Sequence, residues 1–141
     1  NIRRLNRKKI SDIRLENAYL KEANLTRANL RGANLTRANL KGADLTRTKL
    51  YDANLTEADF TGAKLIYAGL WDAYLTRANL RGANLTRANL KGAELYGAYL
   101  TGANLDEANL DEANLYEAIY NTETIWPTGF DPAAAGARLV E

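Results

Sequence analysis

The side chains of this sequence that could do chemistry are carboxylates, cationic groups and aromatic rings. There is no His and no Cys, so the commonest general base, thiolate zinc ligands and any disulfide are missing. The acids recur at fixed spacings, and six of them form two groups: Asp52 and Asp72, and Asp106, Glu107, Asp111 and Glu112. These carboxylates could hold a cation weakly, but they define no ligand set. We therefore expect no catalytic residues, no metal site and no cofactor.

A five-residue period organises most of the chain. All 23 positions divisible by five up to 115 hold Leu except Ile10 and Phe60. The position two before each of these holds Ala throughout from Ala18 to Ala118, with the single exception of Thr48. An α-helix or one long strand would scatter such a period over its whole surface, so the backbone must turn once per unit. Ala and Leu then face inward, the polar residue between them faces outward, and the next two residues make a corner.

The repeated Ala-(Asn/Asp)-Leu-x-x pattern over about residues 13 to 120 resembles the pentapeptide-repeat proteins. The resemblance implies an all-β protein, a right-handed quadrilateral β-helix with 20 residues per coil and about five to six coils. Periodicity alone leaves three sides per coil as open as four. The ending WPTGFDP, residues 126–132, is similar to that of cyanobacterial members of the family.

The chain is predicted to have three segments. Residues 1–12 are a basic lead-in or N-terminal cap, residues 13–120 the array, and residues 121–141 a C-terminal cap and tail. The five-residue pattern is expected to leave its register directly after Ala118, with Trp126 and Phe130 closing the open end of the core.

If a coil has 20 residues, as the resemblance implies, residues 20 apart stack as ladders on successive coils, about 4.8 Å apart. Two ladders combine aromatic and cationic side chains: Arg31, Tyr51, Trp71, Lys91 and Asp111, and Arg27, Arg47, Tyr67, Arg87 and Glu107.

The candidate partner-binding patch is centred where the array is least regular, between residues 63 and 74, and includes Tyr51 from the preceding coil. Its members are outward-facing apolar or aromatic side chains, namely Tyr51, Ile66, Tyr67 and Trp71. Exposed aromatics of this kind are enriched in protein interfaces. The alternative interpretation is that the rings only support the scaffold, by stacking and by cation–π contacts.

The net charge of +2 conceals an uneven distribution. Residues 1–50 carry 13 Lys and Arg against 4 Asp and Glu, a balance of +9, whereas residues 94–141 carry 1 against 9, a balance of −8. Since sequence order is position along a solenoid, the molecule is expected to have a basic and an acidic end. The protein is expected to be mainly a monomer, and the opposite charges of its two ends make end-to-end association the alternative.

The leading functional hypothesis is a non-catalytic scaffold that presents its ladders to an unidentified protein partner. The alternative is a nucleic-acid-related role, either as a DNA mimic that modulates a topoisomerase such as gyrase, as the resemblance implies for some members, or through weak DNA binding by the basic half. The first needs a broadly acidic surface that this chain lacks, so nucleic acid is not the expected partner.

No membrane span is expected. The favoured compartment is the cytoplasm, with a removed leader and export to the periplasm or thylakoid lumen as the alternative.

Overall fold

The computed structural model describes residues 13–141, and the predicted lead-in, residues 1–12, lies outside the described residues. From Ile13 onward the backbone repeats one five-residue cycle in which each outward-facing central residue makes a parallel bridge. From Arg14 to Ile119 each bridge joins residues 20 apart, beginning with Arg14 and Asn34 and continuing with Asn34 and Asn54. Two hydrogen bonds hold such a bridge: Leu15 N–H donates to Asn34 O at 2.7 Å, and Asn34 N–H donates to Ile13 O at 2.9 Å. The chain is therefore a β-helix whose rungs pair with the rungs before and after.

Each unit ends in a tight turn at the two variable positions. The Ala N–H that follows donates to the Leu carbonyl that precedes, as in Ala33 to Leu30 at 3.0 Å. The second turn residue has a positive φ, +65° at Gly32, which is the pattern of a type II β-turn. Seven glycines occupy this position: Gly32, Gly42, Gly62, Gly82, Gly92, Gly97 and Gly102. Elsewhere a side chain is carried at the same φ, as at Arg37, so the hydrogen-bonded rungs must hold it there.

The core is a column of Leu and Ala stacked along the axis. Nearly all of these residues from Leu25 to Leu105 are fully buried, and Phe60 fills one Leu position. Thr48, the exception among the alanines, is also fully buried and donates from Oγ1 to Leu25 O at 2.7 Å. Its hydroxyl is therefore satisfied inside an apolar column.

The array ends through a one-residue insertion rather than directly after Ala118. Ile119 still pairs with Tyr99 at the regular spacing of 20 residues. Ile125, in contrast, pairs with Asn104, so that one extra residue separates these two partners. The expectation that the register is lost at once was wrong, because Ile119 is still in register and the extra residue lies between it and a regular turn in which Thr124 N–H donates to Asn121 O at 3.1 Å. Thr124 then donates from Oγ1 to Leu100 O at 2.9 Å, as Thr48 does to Leu25 O.

Two short strands close this end. Strand β1 (Ile119–Tyr120) pairs in parallel with β2 (Arg138–Leu139). Beneath them Trp126 stacks on Phe130 at 5.2 Å between ring centroids, and both rings are packed against the core. The tail thus covers the last coil with both backbone pairing and aromatic rings.

Candidate functional site

Tyr51 and Trp71 form the centre of the predicted patch. Their ring centroids lie 3.9 Å apart with 7° between the planes, as expected for neighbours in one ladder. Gly69 lies against both rings, because a Cβ there would come within 3.1 Å of Trp71 Cζ3 and 3.5 Å of Tyr51 Cδ1. The missing side chain at Gly69, where most units carry Asn, lets the two rings lie against the backbone.

Tyr67 lies on the ladder at the other edge of the same face, two residues before Gly69. The guanidinium carbons of Arg47 and Arg87, one coil before and one coil after, lie 4.7 Å and 5.5 Å from its ring centroid. Arg87 Nη1 also donates to the Tyr67 hydroxyl. Ile66, the residue before Tyr67, is half-buried. Of the four predicted residues, the structure thus brings Tyr51 and Trp71 into ring contact and surrounds Tyr67 with arginines.

Ion pairs connect these rings to the neighbouring coils. Arg31 lies 5.2 Å from the Tyr51 centroid, and its Nε is 3.6 Å from Asp52 Oδ2. Arg87 Nε donates to Glu107 Oε2 at 2.6 Å, and this bond lowers the pKa of the Glu107 carboxyl and raises the pKa of Arg87. Both pairs are exposed, so they orient the side chains more than they stabilise the fold.

A cleft of about 400 Å³ opens beside Trp71, on the side away from Tyr51. It is lined by residues of three successive coils: Trp71, Asp72, Asn89, Lys91 and Glu112. The corner residue of the middle coil is Gly92, and a Cβ there would meet Asp72 Oδ1 at 2.3 Å. The Asp72 carboxylate therefore lies over the Gly92 backbone. Sequence reasoning missed this cleft, although the regular spacing of Asp72, Gly92 and Glu112, one per coil, was its signal.

The outward-facing Asn residues have a local role that the sequence reasoning also missed. The Asn side chain accepts a hydrogen bond from the N–H two residues on, as at Asn34 Oδ1 from Thr36 N at 3.1 Å. The same contact recurs from Asn24 to Asn121 and caps the turn that follows. The recurrence of Asn two residues before the first corner position in many units was the available signal.

Two absences concern the part of the chain that the structure describes. Within residues 13–141, no three acidic side chains converge to hold a metal ion. In that same range, no helix is long and apolar enough to cross a membrane.

The sequence model described as "Pentapeptide repeats" matches residues 13–52, 53–92 and 93–119. The chain belongs to the pentapeptide-repeat family. Membership implies a right-handed β-helix, which agrees with the parallel bridges described above, and the family is generally non-enzymatic.

Three solved pentapeptide-repeat structures, all cyanobacterial, illustrate the relationship. Alr5209 from Nostoc PCC 7120 is 31% identical, over 90% of this chain and 84% of its own, with a TM-score of 0.49. HetL, involved in heterocyst differentiation regulation in Nostoc sp. strain PCC 7120, is 35% identical over 79% of this chain and 61% of its own, with a TM-score of 0.42. Rfr23 from Cyanothece 51142 is 40% identical over 75% of this chain and 65% of its own, with a TM-score of 0.36. The chain thus spans less than two thirds of HetL and Rfr23. No curated protein matches it.

Proposed function

We propose that this pentapeptide-repeat protein is a non-catalytic scaffold that binds a protein partner through the patch Tyr51, Ile66, Tyr67 and Trp71. The observation that carries the proposal is the Tyr51–Trp71 stack, whose Trp71 ring is 37% exposed beside an open cleft. A large aromatic held rigidly at the surface is typical of interface hot spots, because little side-chain entropy remains to be lost on binding.

The proposed geometry is a quadrilateral rod of about five to six coils, each closed by four of the five-residue units. The constant spacing of the parallel bridges, as from Asn34 to Asn54, supports four units per coil. We assign residues 13–120 to the array and 121–141 to the cap and tail. The rod is proposed to act as a monomer, with its basic and acidic ends available for end-to-end association, and to reside in the cytoplasm.

The absence of catalysis is part of the same proposal. The interior is filled with Leu and Ala, and the buried polar side chains of residues 13–141 are Thr48 and Thr124, both hydrogen-bonded to carbonyl oxygens. The carboxylates of residues 13–141 lie outside the buried core. A catalytic acid or base would instead need burial or a coupled partner in a concave site.

A pull-down from a cyanobacterial lysate tests the proposal. The bait variant Tyr51→Ser/Trp71→Ser removes the stack, and the matched control Tyr96→Ser/Tyr116→Ser removes another exposed stacked pair, with centroids 6.2 Å apart. Circular dichroism checks that both variants keep the fold. We expect a protein that wild type and the control retain and the patch variant loses. Equal retention by all three baits would refute the patch as the binding site.

The alternative function, weak nucleic-acid binding, is favoured by one observation. Arg47 and Lys49 lie on the same face as the Tyr51 ring, and neither has an acidic partner within residues 13–141. Cations beside exposed aromatics are the components of single-strand binding surfaces. Binding of labelled single-stranded DNA that weakens steeply with salt and is lost in Arg47→Ala/Lys49→Ala would support this alternative.

A further inference from the structure

One face of the Trp71 ring carries neither an aromatic ring nor a guanidinium group of the described residues. Tyr51, its neighbour in the ladder, is covered on both faces, by the Arg31 guanidinium at 5.2 Å and by Trp71 itself at 3.9 Å. Tyr67 is likewise enclosed between Arg47 and Arg87. Within residues 13–141, no ring other than Tyr51 stacks on Trp71 and no guanidinium lies over it.

The next position in the Trp71 ladder belongs to Lys91, whose ammonium has no ion-pair partner in the described part of the chain. At this position the neighbouring ladder has Arg87, which covers Tyr67. The uncovered face of Trp71 therefore borders the cleft of about 400 Å³ rather than an arginine of the protein itself.

The width of the cleft follows from the coil spacing. Trp71 and Glu112 lie on its two sides and belong to coils two rungs apart, which is about 9.6 Å along the axis. The intervening corner consists of Lys91, whose side chain borders the cleft, and Gly92, which contributes no side chain. With the Lys91 side chain turned toward solvent, a gap of this size accommodates one flat group in van der Waals contact with the Trp71 ring.

The charge around the cleft favours a cation. Asp72 and Glu112 both line it, and neither carboxylate has an ion-pair partner within residues 13–141. The coils beyond it belong to the segment 94–141, which carries 9 acidic residues against 1 basic residue. Lys91 opposes a cation, but its long flexible side chain can turn its ammonium toward solvent.

We propose that this cleft binds an arginine side chain of a basic partner segment, with the guanidinium stacked on the open face of Trp71 and paired with Asp72 and Glu112. Arginine fits because it is flat, always charged, and able to stack on a ring while its N–H groups bond carboxylates. The protein already uses this arrangement at Tyr51, where Arg31 lies over the ring and also pairs with Asp52. The proposal rests on the proposed function, since it specifies the chemistry recognised at the same patch.

Titration with three short peptides tests the inference: acetyl-Gly-Ser-Arg-Ser-Gly-amide, and the same peptide with lysine or citrulline in place of arginine. The readout is the indole N–H signal of Trp71 in the nitrogen-15 NMR spectrum of the full chain, assigned with a Trp126→Phe variant. We expect saturable shifts with the arginine peptide, affinity at least threefold lower with lysine, and no saturation with citrulline. Equal affinity for the citrulline and arginine peptides would mean stacking without charge recognition and would overturn the proposal.

Charge variants separate the cleft from general attraction to the acidic end. Asp72→Asn and Glu112→Gln are each expected to weaken arginine-peptide binding about threefold. The matched control is Asp111→Asn, which changes the net charge equally beside Glu112 but does not line this cleft. Equal weakening by Glu112→Gln and Asp111→Asn would overturn the proposal.

The outcome is distinguishable from that of the proposed function. If the patch variant loses a lysate partner while the arginine peptide shifts nothing, the patch binds by other chemistry and only this inference fails. If the arginine peptide binds as expected but no partner depends on Tyr51 and Trp71, the arginine site stands and the scaffold proposal fails.

Discussion

Thr48 donates a hydrogen bond from its buried Oγ1 to the carbonyl oxygen of Leu25, 2.7 Å away. Leu25 O accepts a second bond, from Ala28 N–H at 3.0 Å, so its acceptor is satisfied even without the hydroxyl. Thr124 makes the equivalent bond to Leu100 O, and its Oγ1 also accepts from Asn121 N–H at 3.1 Å. The two threonines therefore hold the same geometry with different numbers of partners.

This difference predicts unequal costs for removing the two hydroxyls. Thr48→Ala introduces the Ala that the other units carry two residues before their Leu, and it is expected to lower the free energy of unfolding by about 1 kcal/mol. Thr124→Ala should cost about 2 kcal/mol, because the Asn121 N–H loses its acceptor at the array's end. Urea unfolding followed by circular dichroism measures both, with Thr56→Ala as a surface control expected within about 0.5 kcal/mol. A larger loss from Thr48→Ala would contradict the assignment.

Gly69 predicts a local effect on Trp71 without loss of the fold. Its φ is not positive, so the backbone accepts Ala, but the added Cβ would displace the Trp71 ring, 3.1 Å away. In a Trp126→Phe background, Gly69→Ala is expected to shift the Trp71 fluorescence toward that of a solvent-exposed indole. The control is Gly62→Ala, which has open space but a φ of +66°, and should cost about 1 kcal/mol of stability while leaving the Trp71 emission unchanged. Identical emission spectra for the two variants would rule out that the Trp71 ring packs against the Gly69 backbone.

Much of the fold was predictable because one physical requirement repeats. Burying Leu every five residues forces a turn in each unit, and the coil of 20 residues that the family resemblance implies then places Tyr51 on Trp71, as the structure has them. The cleft was not predictable in the same way, since it depends on where the Asp72 and Lys91 side chains go around a bare Gly92 backbone. Such details follow from rotamers and side-chain packing rather than from periodicity.

The C-terminal register was missed for a different reason. The prediction treated Ile119 as already outside the pattern because residues 118–120 read Ala-Ile-Tyr instead of Ala-Asn-Leu. Bridge pairing depends on backbone hydrogen bonds rather than on that motif, so Ile119 still pairs with Tyr99, and one inserted residue moves Ile125 opposite Asn104. A motif read from side chains does not distinguish an insertion from an ending.

Asp44 and Asp59 predict how stability depends on pH. Hydrogen bonds from the Thr46 side chain and backbone lower the pKa of Asp44. Burial alone would raise the pKa of Asp59, but bonds from Thr61 and the nearby Lys41 outweigh it and lower that pKa as well. Because both pKa values are lower in the folded state, each ionised carboxylate adds stability above its unfolded pKa of about 3.9, and this stability is lost as pH falls through the folded value.

The variant Asp44→Asn/Asp59→Asn should therefore lose less stability than wild type between about pH 5 and pH 2. Asn accepts the same turn-capping bond, as Asn34 does from Thr36, but does not titrate in this range. The measurement is the thermal midpoint across that pH range. The reverse change, Asn84→Asp, at a side chain whose Oδ1 accepts from Thr86 N–H at 3.0 Å and from Thr86 Oγ1 at 2.6 Å, should steepen the acid loss. Parallel pH profiles for wild type and the double variant would contradict the prediction.

The pairing of β1 with β2 predicts that the tail protects the last coil from association. Arg138 N–H donates to Ala118 O at 2.7 Å, and its Nη1 pairs with Glu117 Oε2 at 2.8 Å. Arg138→Pro removes both contacts and weakens the pairing of β1, which then keeps the bond from Val140 N–H to Tyr120 O at 2.8 Å, whereas Arg138→Ala removes the exposed ion pair alone. We expect Arg138→Pro to lower Tm by several degrees and to show concentration-dependent self-association in sedimentation equilibrium, because an unpaired strand edge templates pairing with another chain. Arg138→Ala should stay close to wild type in both measurements, since it keeps the N–H that bonds β1. If Arg138→Ala destabilises the protein as much as Arg138→Pro, the ion pair rather than the backbone pairing holds the tail, and if both variants match wild type the prediction is wrong.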